Sequence, residues 1–498
     1  MTASRAEIEE SLAAFIAYLE EMEVELPPLI VVEDEDGYGV DGLASEDGQR
    51  LLDLSSSKLR RRVPLPLGLR ADAIDLSSNQ LSGVDNLPEG LRNLAINSNR
   101  MTQLPELPDS LQHLDLRSTK VKSIEILPAE LVSLNIRKTP LTEVPELGDK
   151  LQSFSSSSLK QVPVWPSSLQ KLHVSFEDSH ADLGELPDGL RQLSVPAAAV
   201  LPELPDSLEG IYITAEAAMK LSAFPSSLES LSIVGRNVHE GALPDLPDSL
   251  TQLSLSRFRI VGLERLPAEL RELSCRSCDF TELPALPSGL ERLSCPNNEL
   301  GSLPALPGAL RALVCDENAL TELPDLPEDL SYLVCSKNKL TFLPQLPRAL
   351  ETLKCDHNQL ADLPDLCRYW EEIEIPSSGG LDTRQGLRTI DCAFNKIEAL
   401  PTLPQTLHTL RANNNNLAEV PSLPITMSVL NLARNDLTEM RDVPHKIEQL
   451  YINDNKQLAV FSTDEGHADP ERVWKGNAEK TALPEETLAF MRRRGMRT

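Results

Sequence analysis

Aromatic residues make up only 4% of these 498 residues, although 41% are hydrophobic. That excludes a core built on ring packing and leaves an aliphatic one, dominated by leucine. Basic residues are scarce as well: 47 Lys and Arg against 76 Asp and Glu give a formal charge of −29 and a pI near 4.7. Nucleic acid and anionic membrane surfaces are therefore expected to be poor bulk partners. No apolar run reaches the roughly 18 residues of a membrane helix, so no transmembrane span is expected. The first residues lack a basic start followed by an apolar segment, so no secretory signal peptide is expected either. Asn-x-Ser/Thr does not occur, and the cysteines do not cluster at the ends of the chain. Both absences argue against a disulfide-stapled eukaryotic ectodomain. The eight histidines are scattered, with no His-Glu-x-x-His and no Gly-x-Ser-x-Gly. Nothing supports catalysis, so the chain reads as non-enzymatic, without cofactor or metal.

What is present is one sentence repeated about twenty times, L-x-x-L-x-C/L-x-x-N-x-L-x-x-L-P-x-L-P-x-x. Leu270, Leu290, Leu310, Leu330 and Leu350 open five successive copies. The third to seventh positions alternate as a short strand with one buried face does. Stacked copies predict a mainly β leucine-rich-repeat solenoid with a parallel concave sheet. The L-P-x-L-P return cannot be helical, because proline lacks an N–H and extends its predecessor. The convex side is therefore expected to be polyproline-like and free of helices. The asparagine at position nine, as in Asn79, Asn99, Asn298, Asn338 and Asn455, should satisfy backbone groups where the chain leaves the strand. Cys278, Thr119 and Thr139 replace it in other copies. A degenerate copy is expected at Trp370, Ile373 and Ile375, bringing the count to about 21 rungs.

Three regions follow. Residues 1–48 should form a helical cap and acidic loop. Ser4 and Glu7 suit a capping box, and Ile8, Leu12, Phe15, Ile16, Leu19 and Met22 lie on one stripe. Residues 49–458 hold the repeats, irregular near 151–260 and 361–386. Residues 459–498 form a C-terminal cap or tail, where Pro484 could start a short helix ending in Arg492, Arg493 and Arg494.

The repeat sentence, and above all L-P-E-L-P-D-S-L at Leu104–Leu111 and Leu201–Leu208, resembles the bacterial leucine-rich-repeat effectors of the YopM and IpaH type. The resemblance covers residues 49–458. It implies a helical cap, a solenoid that docks partner proteins, and delivery into a host cell by type III secretion. The IpaH branch adds a ubiquitin-ligase domain with a Cys-x-Asp motif. No Cys-x-Asp occurs here, and only about 40 residues follow the last rung. The chain is therefore expected to be similar to the YopM branch.

Two patterns could be mistaken for chemistry. Cys275, Cys295, Cys315, Cys335 and Cys355 recur with the repeat, and Cys392 takes the same position later. That position points inward, so the expectation is a column of small buried hydrophobes in a reducing compartment, not a metal or redox site. Gly37, Gly39 and Gly42 spell G-x-G-x-x-G, but no helix follows, and Glu33, Asp34, Glu35 and Asp36 would repel a pyrophosphate. A flexible acidic turn is expected there. Tyr38 also stands where an EF-hand would need a ligand.

Function is therefore sought on a surface. Positions two, three, five, seven and eight should face the concave side, and over the 21 expected rungs they carry 17 basic and 18 acidic residues. Most of the negative charge must lie on the convex turns and caps. Arg117, Arg137, Lys138, Lys171 and Arg191 fall on neighbouring rungs, next to His173, Phe176, Tyr212 and Phe258 in the irregular middle. Arg271, Arg276 and Arg292 follow, with Arg257 beside Phe258. Glu371, Glu372 and Glu374 oppose them on the degenerate rung. The expected site is a docking face for an acidic protein surface, with the aromatics as exposed anchors. The expected role is a secreted effector binding host proteins in the host cytoplasm. The alternatives are the substrate-recognition part of a ubiquitin-ligase system, or a scaffold or inhibitor inside the producing bacterium. The repeat specifies no oligomeric state.

Overall fold

The computed structural model describes residues 3–25, 29–34, 37–43, 49–176, 181–196, 200–235, 240–366, 386–444 and 447–463. The chain divides into two compact units, Met1–Val234 and Gly235–Thr498. Both are leucine-rich-repeat solenoids.

In the first unit, ten short strands from Leu51–Asp53 to Ser230–Val234 stack in parallel and in register. In the second, ten strands run from Gln252–Ser256 to Gln449–Tyr451 in the same manner. The alternation works as expected. Leu313, Leu333 and Leu353 are fully buried, while Ala312, Tyr332 and Thr352 beside them face outward.

Three backbone devices close each repeat. The second proline of L-P-x-L-P opens a tight turn, its carbonyl accepting from the leucine that starts the next strand, as in Leu310 N to Pro307 O at 3.0 Å. The serine of P-D-S-L ties successive rungs, as where Ser207 Oγ donates to Leu190 O at 2.7 Å. The residue before each ladder asparagine sits in the left-handed region without being glycine, as at Glu317 (φ 56°) and Lys337 (φ 54°). The asparagine then fills the bend. Asn338 Nδ2 donates to Cys315 O, Cys335 O and Ser336 O at 3.0, 3.1 and 3.2 Å, and its Oδ1 accepts from Leu320 N at 3.1 Å. Thr119 and Thr139 satisfy only their own rung, each donating to a carbonyl three residues back at 2.7 Å.

The N-terminal cap is the helix Arg5–Glu21, opened by the Ser4–Glu7 capping box. Ile8, Leu12, Phe15 and Leu19 are buried, whereas Ile16 is 41% exposed and leaves the expected stripe. Tyr18 Oη donates to Arg60 O at 2.7 Å, and Ser11 Oγ accepts from Leu67 N, also at 2.7 Å. These bonds seat the helix over the apolar end of the first repeat, which would otherwise face water. The glycine-rich motif is not a flexible turn. Gly37–Asp41 is an antiparallel partner of Ile30–Asp34, and Val40 bonds through its backbone to Gly68 and Arg70.

Four further expectations need correction. The strand Thr352–Lys354 pairs directly with Thr389–Asp391, Leu353 opposite Ile390, and Asn395 Nδ2 reaches Cys355 O at 3.0 Å. Sheet and asparagine ladder therefore pass directly from Leu353 to Ile390, and the degenerate copy expected at Trp370, Ile373 and Ile375, with Glu371, Glu372 and Glu374, falls between these strands in the sequence. Those residues lie outside the described ones, as does the helix expected from Pro484. The return segments are not uniformly polyproline-like. Arg60–Pro64 pairs with Gln80–Asp85, Glu240–Gly241 with Arg259–Ile260, and Glu439–Val443 with Val460–Thr463. Val84-Asp85, Leu263-Glu264 and Met440-Arg441 stand where the first Leu-Pro of the return is expected, which frees one backbone of each pair for a second ladder. A short helix, Ala215–Met219, interrupts the middle, its N-terminus capped by Thr214, whose Oγ1 accepts from Ala217 N at 3.3 Å.

Finally, Phe176 is 7% and Phe258 1% exposed. Phe258 stands at the asparagine position and fills the bend with a ring in place of hydrogen bonds. Both phenylalanines are core, and neither can anchor a partner. The irregular middle is otherwise well packed, with Trp165 against Phe154 (centroids 5.9 Å apart) and Trp165 Nε1 donating to Leu183 O at 2.9 Å.

Candidate protein-binding face

The concave face is built from the outward positions of the strands. Over the described strands, the concave positions carry 17 basic side chains against 15 acidic. From Val132 to Tyr212 the imbalance is local: Arg137, Lys138, Lys171 and Arg191 face Glu209 alone.

Several of these charges are already paired. Arg191 Nη1 meets Glu209 Oε1 at 2.8 Å, and Arg117 Nη2 meets Asp115 Oδ2 on its own strand at 3.2 Å. In the second unit Arg271 pairs with Glu291 at 2.9 Å and Arg292 with Glu272 at 2.5 Å, forming a neutral weave along the strand starts. Arg276 is exposed near Asp316 and Glu317. Among the described residues Arg137, Lys138 and Lys171 form no ion pair. The backbone N–H of Lys138 is held by Ser157 Oγ at 2.7 Å, with the residue in the left-handed region at φ 55°.

Of the residues singled out in the sequence, the structure brings Lys171, His173 and Tyr212 to one shallow depression of about 390 Å³ in the first unit. Its floor is serine and glycine: Ser153, Ser155, Ser194, Gly210, Ser230 and Ser232. His173 and Tyr212 are half-buried. Burial first, and the nearby Arg137 second, draw the His173 imidazole down to a pKa of about 4, so the ring is neutral at physiological pH. The depression therefore combines a neutral imidazole and the Tyr212 ring with flanking cations. It has neither a nucleophile–base pair nor a metal-ligand cluster among the described residues.

The cysteine column is an inward one. Cys275, Cys295, Cys315, Cys335, Cys355 and Cys392 are free and buried at 0–1% exposure. Burial pushes each thiol up, Cys295 to about 12, which leaves no reactive thiolate.

Some surface features escaped the sequence reading. Tyr332 is 37% exposed on the concave face beside Val314 and Val334, and His357 stacks on Phe394 at 4.1 Å with rings 15° apart. Reading each repeat down its third, fifth and eighth positions would have found them.

The fold defines a leucine-rich-repeat solenoid with a parallel strand face, and no described helix is long and apolar enough to cross a membrane. No protein-family model matches the chain, and no curated protein matches by sequence. Among solved structures it is similar to YopM from Yersinia enterocolitica WA-314, at 27% identity and a TM-score of 0.59, over 95% of this chain and 100% of that one. A leucine-rich effector protein from Yersinia pestis, also YopM, aligns at 22% identity over 89% of this chain and 99% of its own, with a TM-score of 0.35. A Shigella effector LRR domain aligns at 29% identity over 41% of this chain and 74% of its own, with a TM-score of 0.27. Only the first superposes well enough to bear on this chain.

Proposed function

We propose that this chain is a non-enzymatic protein-interaction scaffold, delivered by a bacterium into a host cell, that binds host proteins on the concave face of its solenoid. The observation that carries the reading is the likeness to the whole length of YopM from Yersinia enterocolitica. The repeat wording L-P-E-L-P-D-S-L points the same way. The charge distribution supports a docking role. A chain of −29 concentrates Arg137, Lys138 and Lys171, which form no ion pair among the described residues, on one concave stretch. Such a patch steers an acidic surface and raises its association rate while the acidic remainder repels non-specific contacts.

The test is affinity capture with the tagged chain from eukaryotic and bacterial lysates in parallel, alongside Arg137→Glu/Lys138→Glu/Lys171→Glu. A stoichiometric eukaryotic partner lost on charge reversal is the expected result. Capture from bacterial lysate alone would move the function inside the producing cell. Ubiquitin transfer by the purified chain would overturn the non-enzymatic reading.

A further inference from the structure

The fifth positions of successive strands in the first unit read Ser155, His173, Ser194, Tyr212, Ser232. The register stacks them side by side: Ser155 beside His173, His173 beside Ser194, Ser194 beside Tyr212, and Tyr212 beside Ser232. Two rings therefore rise from the concave sheet with one serine between them. Neighbouring strands lie about 4.8 Å apart, so the ring-bearing backbones are separated by about 10 Å. A flat group stacked between two rings needs roughly 3.5–4.0 Å on each side, or about 7–8 Å in all. A small tilt of either ring closes the difference.

On the third positions of the same strands stand Lys171, Gln192 and Gly210. Gly210 removes the side chain beside Tyr212, so the notch runs on past the ring and is not walled there. Cations stand on one side of it, Lys171 on the His173 strand and Arg137 close enough to act on the imidazole. Neither is held by a carboxylate among the described residues.

We infer that the Ser194-floored notch between His173 and Tyr212 is a side-chain pocket for a protein partner, taking one planar or branched apolar residue from a segment whose neighbouring carboxylates meet Arg137 and Lys171. The inference rests on the scaffold reading and deepens it by naming the chemistry the scaffold selects. An apolar residue gains from leaving water for two ring faces, and acids beside it gain from cations that no described carboxylate holds. A basic segment would meet like charge, and a long polar side chain would leave its head group unpaired over the serine floor.

The experiment uses the full chain and fluorescein-labelled synthetic peptides, read by anisotropy. The peptides carry three Asp or Glu on each side of a central Trp, Leu or Ser. The Trp and Leu peptides should bind at least ten-fold more tightly than the Ser peptide. Ser194→Leu, which fills the notch, and Tyr212→Ala, which removes one wall, should each abolish that ten-fold preference. Arg137→Glu/Lys171→Glu should weaken all three peptides and flatten the salt dependence. Unaltered circular dichroism and melting temperature would establish that the variants fold. Equal binding of the three peptides, or a preference that survives Ser194→Leu, would overturn the pocket. Neither of these outcomes touches the scaffold reading. A host partner captured by the wild type and equally by Ser194→Leu would likewise sink the pocket while sustaining the scaffold, whereas no captured partner at all would sink the scaffold.

Discussion

Replacing Asn338 with alanine tests the asparagine ladder at a site where its contribution can be worked out bond by bond. Asn338 is 8% exposed and serves four backbone groups. Its removal does not orphan them equally. Cys315 O keeps Asn318 Nδ2 at 3.2 Å, Cys335 O keeps Asn358 Nδ2 at 3.0 Å, and Ser336 O keeps Glu317 N at 3.0 Å. The Leu320 N–H has only Asn338 Oδ1. One buried donor left unpaired costs about 1–3 kcal/mol, and thinning the bonds to shared carbonyls adds about 1 kcal/mol, so the substitution should cost about 2–4 kcal/mol. Asn338→Thr should recover about 1 kcal/mol of this, since a threonine there, like Thr119, reaches its own rung and no further. A solenoid need not unfold in one step, so the assay should be local as well as global. Urea denaturation gives the overall loss, and amide exchange of Leu320 gives the loss at the orphaned donor. A cost under about 1 kcal/mol with the Leu320 amide still protected would refute the reasoning, because the donor must then have found another acceptor.

Three further outcomes are expected. Ser156, 1% exposed with a hydroxyl that has no partner, occupies the inward column between Ile136 and Val174, so Ser156→Ala should stabilise the first unit by about 1 kcal/mol in urea denaturation. A Cβ at Gly235 would lie 2.0 Å from Arg257 O and 2.7 Å from Phe258 Cβ, so Gly235→Ala should destabilise the second unit by about 3 kcal/mol or more, read as a lowered melting temperature. The buried thiols have folded pKa values raised above their unfolded ones. Their contribution is complete below the ordinary thiol value of about 8.5 and is lost as pH rises toward their folded values, so stability should fall steeply above about pH 8.5. Cys295→Ala/Cys315→Ala/Cys335→Ala should flatten that slope, and a thiol reagent should label none of the three in the native chain.

Much of the fold was legible because a repeat states its own geometry many times over. The leucine alternation, the inward cysteines, the ladder asparagines and the capping box at Ser4 each follow from local rules, and the solenoid only stacks them. Where one copy departs from the sentence, that redundancy is lost. Trp370, Ile373 and Ile375 fit the apolar positions, yet a run of three matches cannot reveal that the strands at Leu353 and Ile390 pair without it. Pairing is a contact between distant residues, and periodicity is silent on which neighbours the sheet accepts.

The sequence by itself determined an acidic, aliphatic solenoid, since scarce aromatics leave an aliphatic core and the recurring leucines dictate how it stacks. The sequence also placed a cationic stretch beside four aromatic rings, but it could not sort them. Phe176 and Phe258 fall at bends where the asparagine is missing, and the fold draws them in to fill that space. His173 and Tyr212 fall on strand positions whose side chains must point out, and the register sets a serine between them. Burial is decided by what surrounds a residue after the rungs stack. Only the tertiary structure therefore separated the rings that hold the protein together from those that are free to hold a partner.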